Sequence, residues 1–169
     1  MSSSERATNA SRGTVIVVGR LDSVVSPKRG GVPFMNGLSE LKGLLAAQPE
    51  PACASLTPFE ITSANLEAGC VTLRFAEQPA FSNHWGNIQG GFGVALVDVL
   101  VSVAAFAKLR QWCPTVEMKS TFVAPAKVGE CEGEARIIKV GKTIAFLEAR
   151  LWGADGELAI HATATVSVK

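Results

Sequence analysis

At 169 residues the chain supports one domain with a substantial core, folding of which buries roughly 70% of the surface exposed by the unfolded chain. Lys and Arg total 16 against 15 Asp and Glu, interspersed for a net charge of +1, so there is no basic stripe for nucleic acid or for anionic lipid. Cys53, Cys70, Cys113 and Cys131 lack CxxC spacing and only 2 histidines are present, which argues against a zinc cluster and fits free thiols in a reducing cytoplasm.

Residues 1–33 are rich in Ser, Gly and charge and read as a tail without regular structure. Their one β-prone patch, Thr14 to Val18, is too short for the core of a signal peptide and has an edge strand as its alternative reading. Residues 34–169 read as a single domain. From Phe34 to Gln48, the residues Phe34, Leu38, Leu41, Leu44 and Leu45 fall at helical spacing ahead of Pro49 and Pro51, which predicts an amphipathic helix. Phe59 to Leu66 and Cys70 to Ala76 read as two strands of a hairpin around Glu67 to Gly69.

The stretch from Asn83 to Lys108 opens with a glycine-rich polar loop and continues as a long apolar run interrupted by Asp98 and Ser102. Its length suits a membrane span, but glycines 90, 91 and 93 weaken it and Asp98 near its centre would cost about 2.5 to 3.5 kcal/mol on insertion. A helix that is apolar all round is wrapped on every side, so Gly91 to Leu109 is expected to be a buried central helix.

Strand patterns fill the remainder. Val116, Met118 and Phe122 alternate with Thr115, Glu117, Lys119 and Thr121, which puts Thr115 and Glu117 on one polar face. Cys131, Ala135 and Ile137 alternate with charged residues. Lys142 to Trp152 and Glu157 to Val168 form a hairpin through Gly153 to Gly156. Two strands, a buried helix and four more strands predict an α+β fold, a curved antiparallel sheet around the helix.

Backbone N–H groups at Gly90 and Gly91 would be free at a helix start, with the positive end of the helix dipole behind them. A substrate carbonyl there would be polarised and its oxyanion stabilised. Asp98 lies eight residues beyond Gly90, about 12 Å along the helix. The two groups meet on one carbonyl only if they come from different subunits, with their helices antiparallel. Asn83 and Gln89 are amides that cannot carry a proton at neutral pH; holding the loop and orienting substrate or water is their expected work. Neither His84 nor His161 has the pattern of a Ser or Cys triad.

The motif N-x-x-G-x-x-Q-G-G at Asn83, Gly86, Gln89, Gly90 and Gly91, followed by Asp98, resembles the hotdog-fold acyl-CoA thioesterases of the phenylacetic-acid-degradation type. Many members have His where this chain has Gln89. The likeness continues through Thr115 to Glu130, Val140 to Phe146 and Gly153 to Val166. It implies hydrolysis of an acyl-CoA by a homodimer or dimer of dimers with composite sites, and no metal or cofactor, coenzyme A being part of the substrate. It further implies that Asp98 is nucleophile or general base, that Thr115 places the water, and that Lys127 and Lys142 meet the nucleotide end of coenzyme A. Ser102, one turn beyond Asp98, is a candidate hydrogen-bond partner for it. A hotdog dehydratase or hydratase would want a His with a carboxylate in the site, which Gln89 disfavours, and an acyl-CoA binding module without turnover is the alternative from another class.

Overall fold

The computed structural model describes residues 37–169. The expected tail, the patch at Thr14 to Val18 and Phe34 lie outside them. Helix α1, Leu38–Ala46, buries Leu41 and half-buries Leu38, Leu44 and Leu45, the positions picked out by helical spacing. It is shorter than expected, because the chain turns at Ala47 and Gln48 ahead of Pro49.

Six strands follow the predicted order: β1, Phe59–Asn65; β2, Cys70–Phe75; β3, Thr115–Phe122; β4, Cys131–Val140; β5, Ile144–Trp152; and β6, Leu158–Ser167. They form one sheet in the order β1-β2-β4-β5-β6-β3, with every neighbouring pair antiparallel. Inward-facing Val71, Leu73, Phe75, Ala135, Leu147, Ala149, Leu151, Ala162 and Val166 are almost wholly buried, each at 1% exposure or less. Burying a large apolar side chain of this kind contributes about 1.5 to 3 kcal/mol.

The core is completed by helix α2, Gly90–Leu109, which lies against β2, β4 and β5. Its approach depends on Gly133: a Cβ there would stand 2.3 Å from Leu100 Cδ1. The helix ends at Arg110, a left-handed residue with φ 59° whose amide caps the Phe106 carbonyl. The Arg110 guanidinium meets Glu40 of α1 at 2.7 Å, and Lys108 Nζ donates to the Glu67 carbonyl in the β1–β2 turn. By length and composition α2 could cross a membrane, yet 56% of its most apolar window is buried inside the fold.

Two expectations need correction. The helix is not wrapped on every side: Gly91, Phe92, Val94, Ala95, Asp98, Val99 and Ser102 are incompletely buried, and they fall at helical spacing along one stripe. The other concerns β3. A bulge between Thr115 and Glu117 shifts the register, so Thr115 pairs with buried Val166 whereas Glu117 pairs with Thr165. Residues directly opposite in an antiparallel pair share a face, so Thr115 looks toward α2 and Glu117 looks away. Val116, grouped by the alternation with Met118 and Phe122, sits at the bulge and is 64% exposed. Among the described residues β3 is an edge strand with its outer side unpaired.

Candidate active site

The loop before α2 is built by one side chain. Asn83 Oδ1 accepts the amides of Trp85 at 2.9 Å and Asn87 at 3.2 Å, while the Asn83 amide donates to the Asn87 carbonyl at 2.7 Å. A short polar side chain that bonds its own backbone in this way fixes a turn. Gly86, at φ 73°, supplies the left-handed step the turn requires. The loop is then pinned from outside: the Ile88 amide donates to the Ala126 carbonyl at 2.8 Å, that of Gln89 to Phe81 at 2.8 Å, and Lys127 Nζ to Asn87 Oδ1 at 3.0 Å.

Gln89 is the residue before the helix. Its carbonyl accepts the amides of Phe92 and Gly93 at 2.9 and 3.1 Å, and its exposed side chain caps nothing. That leaves the amides of Gly90 and Gly91 as the uncommitted donors at the positive end of α2. Gly90 borders a cleft of about 380 Å³ whose walls include Trp85, Ile88, Phe122 and Ile160. Phe122, one of the apolar residues in the β3 alternation, lies against Gly90 and is 56% exposed.

A second polar centre lies along the same helix. Thr115 Oγ1 donates to Asp98 Oδ1 at 2.8 Å, both residues being half-buried. The β3 bulge makes this bond possible. Ser102 makes no hydrogen bond to Asp98, and Glu117 lies on the opposite sheet face beside Phe146 and Thr165. His84 lies tilted against exposed Trp85 with centroids 3.8 Å apart, and His161 pairs with Arg150 and Thr121 on the outer sheet face.

These two centres belong to opposite ends of β3: Thr115 opens it beside Asp98, and Phe122 closes it beside Gly90. The lysines follow the same division. Lys127 is tied to the loop at the Gly90 end. Lys142 is in the β4–β5 turn, next to the Val168–Thr143 and Ser167–Pro114 backbone bonds that lead into Thr115. The length of β4, roughly 30 Å of strand, runs between them.

The sequence pattern missed Asn87 and Phe122. Two Asn residues four apart in a glycine-containing loop are a local signal for mutual capping. For Phe122 no local signal exists, because its neighbour Gly90 is far away in the chain.

The family model described as the Thioesterase superfamily matches residues 86–160. A phenylacetic acid degradation-related protein of Ralstonia eutropha JMP134, assigned as a thioesterase, is 30% identical, with 75% of this chain and 96% of that one covered and a TM-score of 0.68. A thioesterase family protein of Silicibacter pomeroyi is 24% identical over 76% and 95% of the two chains, with a TM-score of 0.63. A thioesterase of Haemophilus influenzae is 18% identical over 77% and 88%, with a TM-score of 0.61. The last two show the fold alone. Among curated proteins none matches.

Proposed function

Because the chain belongs to the hotdog-fold thioesterase superfamily, we propose that it hydrolyses an acyl-CoA to the free acid and coenzyme A as a homodimer, alone or within a dimer of dimers. The amides of Gly90 and Gly91 polarise the thioester carbonyl. Asp98 of the partner subunit attacks as nucleophile or takes a proton from the attacking water; by either route one water is consumed and the coenzyme A thiolate leaves. Thr115 orients that carboxylate. Asn83 holds the loop and Gln89 opens the helix beside the reacting carbonyl. Ser102 lines the same helix stripe. No cofactor enters apart from the coenzyme A of the substrate.

The observation that carries this reading is the division of the two centres between the ends of an edge strand. When two copies of β3 pair antiparallel about a two-fold axis, the first residue of one meets the last of the other. That pairing brings Asp98 and Thr115 of one subunit to Gly90 and Phe122 of the next, and Lys142 of one toward Lys127 of the next. It also covers the apolar stripe of α2 left open in a single chain, for which a second copy is the natural complement. The half-buried Asp98 lies in the middle of that stripe.

Mixing two inactive variants tests the composite site. Asp98→Asn and Gly90→Ala homodimers are each expected to lose turnover of an acyl-CoA panel while keeping fold and dimer. After subunit exchange at equal amounts, half the dimers are mixed and each carries one intact site, so about a quarter of wild-type activity returns. No recovery despite proven exchange, or a fully active monomer, would remove the composite site.

A further inference from the structure

Resting on that reading, we infer that the cleft at the start of α2 holds the acyl group, that this group is apolar and uncharged, and that Phe122 sets its length. A thioester with its carbonyl at Gly90 has two arms to place. The coenzyme A arm continues to charged phosphates and must run out to water. The cleft is bounded on its inner side by Gly93, Ala126 and Ile160, all buried. An arm that continues has no way through them, whereas one that terminates fits. Its volume of about 380 Å³ lies at the small end for ligand pockets.

The lining contains no ionisable side chain. Its two Asn side-chain oxygens are already engaged, Asn83 with backbone amides and Asn87 with Lys127. A charged acyl group would therefore find no oppositely charged side chain in the lining that one chain supplies. Phe122 forms the wall nearest the reacting carbonyl: a Cβ on Gly90 would lie 3.2 Å from its Cε1 and Cζ. Being 56% exposed at the end of its strand, it is a wall residue and not part of the packed core.

The test measures kcat/KM for saturated acyl-CoAs of increasing length, with butyryl-CoA and succinyl-CoA compared directly, on the wild-type dimer and on Phe122→Ala and Phe122→Leu. Phe122→Ala is expected to move the preferred length to longer chains, changing the long-to-short ratio by about tenfold or more. Phe122→Leu, which keeps an apolar wall, should shift it less, and inhibition by free coenzyme A should not change. Succinyl-CoA should be poorer than butyryl-CoA by about tenfold or more. A uniform loss of rate with the same length profile, or equal use of the two C4 substrates, overturns the assignment. Repeating the series as acyl-CoA binding in the Asp98→Asn background separates the two claims. Length-dependent binding that responds to Phe122, without hydrolysis by the wild type, would remove the hydrolase reading and keep the cleft. Hydrolysis with no response to Phe122 would remove the cleft alone.

Discussion

Thr115 donates its hydroxyl to Asp98 Oδ1 at 2.8 Å, and this bond joins the free edge of β3 to the uncovered stripe of α2. A half-buried carboxylate needs such a donor, and no basic residue lies three or four positions away on the helix to replace it. Hydrogen bonds to charged groups are worth about 1.5 to 3 kcal/mol. Thr115→Val keeps the shape and removes the donor, so kcat should fall about 10- to 100-fold, whereas Thr115→Ser should retain most activity. Equal kinetics for the Val and Ser variants would show that the hydroxyl does not orient the acid.

Gly90 and Gly91 differ in what surrounds them, and that difference makes an experiment. A Cβ on Gly90 crowds the Phe122 ring at 3.2 Å, whereas one on Gly91 meets nothing within 4 Å. In a helix Ala is better than Gly by about 1 kcal/mol, so Gly91→Ala should leave stability unchanged or raise Tm. If a carbonyl approaches that backbone, the same change should lower kcat/KM, by up to the roughly 3 to 4 kcal/mol associated with one well-placed oxyanion donor. Calorimetry and kinetics on one sample check the opposed signs. Activity unchanged by Gly91→Ala would leave Gly90 as the sole donor.

The helix start and its acid were legible because their signals are local: Asn83, Gly86, Gln89, Gly90, Gly91 and Asp98 lie within one short stretch. Strand identities were legible for the same reason, as in the buried alternation of Ile160, Ala162, Ala164 and Val166. Strand faces were less so. A period-two pattern carries no mark of a bulge, and one extra residue moves every side chain beyond it to the other face. Thr115 was thus grouped with Glu117, from which the bulge separates it. Uniform apolarity marked α2 as a core helix, but it gave no sign of the stripe from Gly91 to Ser102 that the chain's own sheet leaves incompletely buried. The tie between Lys127 and Asn87 spans 40 residues, beyond the reach of any spacing rule.

The two lysines should behave differently when removed. Lys142 is exposed in a turn, so Lys142→Ala should raise KM for an acyl-CoA several-fold, on the order of the 1 kcal/mol of an exposed ion pair, with kcat unchanged. Lys127 also supports Asn87 in the loop before Gly90, so Lys127→Ala should raise KM and lower kcat. Both KM effects should shrink as salt rises past about 0.15 M, where screening acts within about 8 Å. An unchanged KM for either variant at low salt would take that lysine out of contact with the nucleotide.

Cys131 provides a test of the packing under β4. Its thiol is 1% exposed, and burial first, then the charge of Asp155, push it up from the ordinary 9.0 to about 11. The folded chain thus keeps a proton that the unfolded chain releases near pH 9. The associated stability is present below that pH and is lost as pH rises from about 9 toward 11. Urea midpoints measured across this window should fall less steeply for Cys131→Ala than for the parent, although the variant is less stable throughout for want of the buried sulfur. At pH 8, alkylation should reach the exposed Cys53 well before Cys131. Equal labelling rates in the native protein would mean that the segment from Lys127 to Cys131, whose Lys127 and Gly129 carbonyls lie 3.8 and 3.6 Å from Sγ, opens readily. Such opening would loosen Lys127 and, through Asn87, the loop that holds the Gly90 amide.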